Sequence, residues 1–107
     1  MPAGGTRGYT AGVTSAIDEA LPGADLIRTG VEDIRQGRES VEALLVLVGA
    51  PRLRRIGIDV PERGVLRPEH RLYELLAQSD SDTAHSRYNA LIRRLVSFER
   101  AAECAHR

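Results

Sequence analysis

The chain has 107 residues, the size of one small domain. Fifteen arginines balance fifteen acidic residues, so the formal net charge is zero. This balance excludes the strongly basic composition of a typical nucleic-acid-binding domain, although it leaves room for a local basic patch.

The N-terminal region differs from the rest of the chain. Residues 1–12 contain four glycines and almost no large apolar side chain, which predicts a flexible leader. Residues 13–107 are then expected to form a single helical domain. Ser15 is placed to cap a short first helix, with Asp18 in the capping-box position and Pro22 after its end.

A second helix is predicted from Ala24 to Gln36, where apolar residues recur every three or four positions. Gly37 follows as a suitable residue for the helix end. Gly30 lies inside this helix and costs about 1 kcal/mol relative to alanine. We therefore expect Gly30 to mark a close crossing with another helix.

The next segment is capped by Ser40 and continues to Ala50. Leu44–Val48 is an unbroken apolar run, which also fits a buried strand. The length of the segment and the absence of a turn signal favour a helix. Such a helix is apolar on all sides and should be central to the fold.

Prolines divide the middle of the chain. Pro51 opens a short helical turn, and Pro68 opens a helix that extends to about Gln78. Residues 57–67 are predicted to form a loop. Its apolar side chains are expected to pack onto the core: Ile58, Val60, Val65 and Leu66.

The C-terminal segment Ser81–Cys104 has the clearest pattern, and Asp80 or Ser81 is expected to begin its helix. Ile92 and Val96 lie beside its main apolar stripe and widen it. The stripe itself comprises Ala84, Tyr88, Leu91, Leu95, Phe98 and Ala102.

Together these segments predict an all-α fold, a small irregular bundle of four to five helices with a long C-terminal helix. The core should be aliphatic, because aromatic residues make up only 4% of the chain. The predicted core residues are Ile27, Val31, Ile34, Leu44, Leu45, Val48, Leu72, Leu76, Tyr88, Leu91, Leu95 and Phe98.

The composition also predicts a location in the cell. Cys104 is the single cysteine, which is typical of a reducing compartment. The first residues lack the features of a signal peptide, and the longest apolar run, Ala43–Val48, is too short to span a bilayer. We therefore expect a cytoplasmic protein that does not enter membranes.

Two groups of polar residues are candidate binding sites. The basic cluster, defined as Arg52, Arg54 and Arg55, is suited to a phosphate or an acidic partner, and equally to a solvated helix face.

The second group is His85, Asn89 and Arg93, spaced by four, with Tyr88 beside them. These side chains can form hydrogen bonds at a groove. Asparagine is a poor metal ligand, and no second histidine or cysteine joins the group, so neither a metal nor a cofactor is predicted. No catalytic residue is predicted from the sequence.

Three functions remain open. The leading hypothesis is a non-enzymatic interaction module that forms a homodimer through the C-terminal helix. The first alternative is a nucleic-acid-binding regulatory protein, such as the regulatory half of a bacterial toxin–antitoxin pair. It would use the basic cluster and the arginines of the last helix. The second alternative is a small hydrolase or ribonuclease that uses His85, Tyr88 and Arg93.

Overall fold

A computed structural model describes residues 17–105 of the chain. This part contains five helices and no strand, which confirms the all-α fold with a long C-terminal helix. The helices are α1 (Ala24–Arg35), α2 (Val41–Val48), α3 (Ala50–Arg55), α4 (Pro68–Ser79) and α5 (Ala84–Ala105).

The connection between α1 and α2 follows the predicted signals. Gly37 adopts the left-handed conformation after α1, with φ of 75°. The hydroxyl oxygen of Ser40 accepts a hydrogen bond from the backbone N–H of Ala43 at 3.0 Å. The apolar run that also fitted a strand is therefore helical, and α2 ends at Val48.

The crossing of α1 and α2 depends on Gly30. A Cβ atom at this position would overlap the backbone carbonyl oxygen of Glu42 and the Cγ2 atom of Val46. Only a residue without a side chain allows the two backbones this close. The close crossing expected at Gly30 is confirmed.

One core joins all five helices. Of the twelve predicted core residues, nine are buried, while Val48, Tyr88 and Leu91 are half-buried. Val48 is the last residue of α2, where the helix leaves the core. Tyr88 packs against Tyr73 at the edge of the bundle.

Leu66 does not pack as predicted. Ile58 and Val60 are buried and Val65 is half-buried, but Leu66 is 91% exposed. Neighbouring side chains in a non-helical segment point in different directions. The backbone conformation that directs Val65 toward the core therefore directs Leu66 into solvent.

The predicted start of α5 is also wrong. Asp80 and Ser81 precede α5 rather than begin it, because the Asp80 carboxylate accepts a hydrogen bond from the N–H of Asp82 at 3.0 Å and closes a turn. Asp18 does the same with the N–H of Ala20 at 2.9 Å. Residues 17–23 are therefore turns, whereas Ser15 and the predicted leader lie outside the described residues.

Candidate functional site

The apolar face of α5 is covered by the fold itself. Leu95 and Phe98 are buried in the core, and Ile92 and Val96 are half-buried. Among the described residues, the exposed large apolar side chains are Leu66 and Tyr73, and neither lies on α5. The widened stripe therefore leaves little apolar surface on α5 for a second copy.

The acidic side of α5 faces α3. The Arg52 guanidinium donates hydrogen bonds to both carboxylate oxygens of Glu103, at 2.6 and 3.2 Å. One of its nitrogens also lies 3.5 Å from the Glu99 carboxylate. These contacts tie α3 to α5, and they raise the pKa of the already strongly basic Arg52.

Glu99 is a buried carboxyl group, 5% exposed, that presses against Gly49. Burial raises its pKa, and the nearby Glu103 carboxylate acts in the same direction. The positive charges of Arg52 and Arg55 oppose this rise. Both acidic residues of α5 are thus directed toward α3, where Arg52 offsets part of their negative charge.

The opposite side of α5 is basic. We call it the outer face and define it by six exposed residues: Arg87, Ala90, Arg93, Arg94, Ser97 and Arg100. Residues seven positions apart lie almost in line on a helix. The arginines therefore form two rows, Arg87 with Arg94 and Arg93 with Arg100, about 120° apart around the helix axis.

Short side chains separate the two rows. Ala90 and Ser97 lie between them and leave the backbone of α5 accessible from solvent. Two open clefts of about 430 and 350 Å³ meet along this face. They share Ala90 and Arg94; the first extends to Val41 at the start of α2, and the second to Gly23.

Few partners neutralise these arginines within the described part of the chain. Arg94 lies 3.7 Å from the Asp25 carboxylate, a pair whose side chains are both more than half exposed. Glu42 lines the first cleft with Arg87 and Arg94. No hydrogen bond or ion pair there engages the guanidinium groups of Arg87, Arg93 and Arg100.

The predicted basic cluster does not converge on one point. Arg52 is turned toward α5, while the Arg54 guanidinium donates to the backbone carbonyl of Val60 at 3.0 and 3.2 Å. Arg55 is exposed. Since two of the three guanidinium groups serve contacts inside the fold, the role of this cluster in binding stays a prediction.

The second predicted group lies along one edge of α5. The Asn89 side chain donates a hydrogen bond to the Nε2 atom of His85 at 3.2 Å, and both residues are exposed. Arg93 follows one turn later. The Tyr88 ring packs against Tyr73 of α4, with ring centroids 5.8 Å apart and an angle of 56° between the planes.

Residues 17–105 contain no group of three or more His, Cys, Asp or Glu side chains arranged to hold a metal ion. None of their helices is long and apolar enough to cross a membrane. No protein-family model, curated protein or solved structure matches the chain.

These groups differ in how far the sequence indicates them. The arginines of α5 were visible as residues of the last helix, but their arrangement in two rows follows only once the buried face is known. Glu99 lies one helical turn after Leu95, a residue of the apolar stripe. This spacing indicates that the Glu99 side chain is buried on the same side of α5. Tyr73 follows buried Leu72, and nothing in the sequence indicated that its ring would meet Tyr88.

Proposed function

We propose that the protein is a non-enzymatic binding module that holds the phosphate backbone of a nucleic acid against the outer face of α5. The observation that carries this proposal is the separation of charge on that helix. Four arginines lie on the solvent side, while both acidic residues of α5 lie on the side that faces α3. The local field of this face is positive although the chain is neutral.

The chemistry of the face suits phosphate groups. Guanidinium groups form bidentate hydrogen bonds with phosphate oxygens. The seven-residue step within each row corresponds to a rise of about 10 Å along the helix, so one chain of phosphates can contact successive arginines. Ala90 and Ser97 allow that chain to approach the helix closely.

Filter binding of labelled 20-mer oligonucleotides at low salt tests the proposal. We expect retention of oligonucleotides by the intact chain, and loss of that retention in the double variant Arg93→Gln/Arg100→Gln. The charge-matched control is Arg35→Gln/Arg67→Gln, which removes two exposed arginines from other parts of the surface.

The outcomes are distinct. Binding that weakens only in the α5 variant supports the proposal. Equal weakening in both variants would mean that total charge, and not this face, determines binding. The proposal is also overturned if no oligonucleotide is retained at low salt, or if polyglutamate competes as well as a nucleic acid does.

Self-association through α5 stays a prediction with a separate test. The half-buried Ile92 packs against the core, so the apolar surface that motivated this prediction is smaller than expected. Sedimentation at high micromolar concentration distinguishes a monomer from a dimer. A dimer that survives Arg87→Gln/Arg94→Gln would place its contact away from the outer face.

Catalysis by the group at His85 has little geometric support. The ring nitrogen of His85 contacts the Asn89 amide, and no ion pair joins this histidine to a carboxylate in the described part of the chain. Unchanged activity in His85→Ala on any substrate found would remove the hydrolase hypothesis.

The cytoplasmic location also stays a prediction. Cys104, the cysteine on which it was based, is free and exposed.

A further inference from the structure

A pair of tyrosines joins α4 to α5, and one of its rings is partly open. Tyr73 of α4 is 38% exposed, the highest exposure of any aromatic side chain in the described residues. Tyr88 supports it from α5 in a tilted arrangement. A phenol ring held by a second ring offers a fixed surface with little conformational freedom to lose on binding.

The pair is connected to the outer face by polar side chains. Around the axis of α5, the order from Tyr88 is His85, then Asn89, then Arg93, with successive steps of about 40–60°. His85 and Asn89 are exposed hydrogen-bonding groups. This polar strip therefore spans the part of the α5 surface, about 140° around the helix axis, that separates Tyr88 from Arg93.

The Tyr88 ring carries no charge of its own near neutral pH. Burial and the neighbouring Glu69 carboxylate raise the pKa of Tyr88 above its ordinary value, so the phenol keeps its proton. Tyr88 thus contributes an uncharged ring, close to the Glu69 carboxylate.

We infer that the nucleic acid bound by this module is single-stranded, and that one of its bases stacks on Tyr73. This inference rests on the proposed function. In a duplex the base faces are covered by neighbouring bases, so an aromatic side chain has nothing to stack on unless the duplex opens. A single strand exposes every base face, and an aromatic surface beside a basic groove is the combination used to bind it.

The test compares four probes of equal length with the full chain: oligo(U) RNA, oligo(dT) DNA, an abasic DNA oligomer and a DNA duplex. The variants are Tyr73→Leu, which keeps apolar bulk without a ring, and Tyr73→Phe, which keeps the ring. We expect Tyr73→Leu to weaken binding of the two base-bearing single strands by about fivefold or more. Tyr73→Phe should bind them as the intact chain does.

Two readouts separate stacking from a general effect on the fold. Binding of the abasic oligomer should be the same in Tyr73→Leu and in the intact chain, and the salt dependence of binding should not change.

Failure of this inference differs from failure of the proposed function. If Tyr73→Leu binds every probe as the intact chain does, or loses affinity for the abasic oligomer to the same extent, the stacking surface is wrong while backbone binding stands. Tighter binding of the duplex than of the single strands would also overturn it. If the intact chain binds none of the four probes at low salt, both proposals fail.

Discussion

On the inner face of α5, Leu95 and Phe98 are buried by helices of the same chain, whereas on the outer face Arg87 and Arg93 extend into solvent. The inner face is defined by a repeat of apolar residues, and its role is packing. The outer face is defined by its exposed arginines. The comparison teaches that a neutral chain can still present a basic surface on one helix, because both acidic residues of that helix are directed toward α3.

The largest expected effect comes from breaking the inner face. Phe98 is fully buried, so Phe98→Ala should lower the free energy of unfolding by about 3–5 kcal/mol. Ser97→Ala, one residue away on the outer face, should change it by less than about 0.5 kcal/mol. Urea denaturation measures both. Similar losses in the two variants would contradict the division of α5 into a packed and an open face.

A smaller effect on the free energy of unfolding is expected at Asp33, because both of its carboxylate oxygens accept hydrogen bonds within the fold. Asp33 is buried, accepts hydrogen bonds from Arg38 at 3.0 and 3.1 Å, and accepts one from the Ser40 hydroxyl at 2.6 Å. The Ser40 and Arg38 contacts hold the pKa of Asp33 below its ordinary value. Asp33→Asn should cost about 1–3 kcal/mol at neutral pH.

The sign of its pH dependence follows from that lowered pKa. The ionised form stabilises the fold above pH 3.8, and this stabilisation is lost as the pH falls through the folded-state pKa. The difference between the intact chain and Asp33→Asn should therefore shrink in acid. Denaturation at pH 7 and pH 3 measures it, and a constant difference would argue against an ionic role for Asp33.

The smallest effect on the free energy of unfolding is expected at Glu99. Its dependence on pH has the opposite sign to that of Asp33. Burial raises its pKa, so its ionisation costs the fold stability as the pH rises through and above 4.5. Glu99→Gln should remove this decline and leave the protein equally stable, or more stable by about 1 kcal/mol, at pH 7. Glu62→Gln, at a carboxylate that is 92% exposed, is the control.

A clear loss of stability in Glu99→Gln at pH 7 would show that the attraction of Arg52 outweighs the cost of burial. The two buried carboxylates would then behave alike, and the contrast between them would disappear.

Much of the fold could be predicted because its causes are local. The apolar repeat of α5, the cap at Ser40 and the helix end at Gly37 each depend on residues a few positions apart. The wrong start of α5 has a local cause as well: an aspartate before a helix can accept a hydrogen bond from a turn as readily as from the first helical turn.

The candidate site could be predicted only in part, because it depends on contacts between distant residues. Arg52 pairs with Glu103, fifty-one positions away, and no local pattern indicates this contact. The pairing of Tyr73 with Tyr88 likewise follows from the packing of α4 on α5. His85, Asn89 and Arg93 were found from their spacing, since a single helix places them on one edge.

The most direct test of the central claim is the salt dependence of oligonucleotide binding by the intact chain and by the fourfold variant Arg87→Gln/Arg93→Gln/Arg94→Gln/Arg100→Gln. If all four arginines contact phosphates of a single strand, the logarithm of the association constant should fall with the logarithm of salt concentration with a slope of about −3 for the intact chain. The fourfold variant should show a slope near zero at unchanged stability. Equal slopes for the two proteins would mean that the outer face of α5 does not bind the backbone.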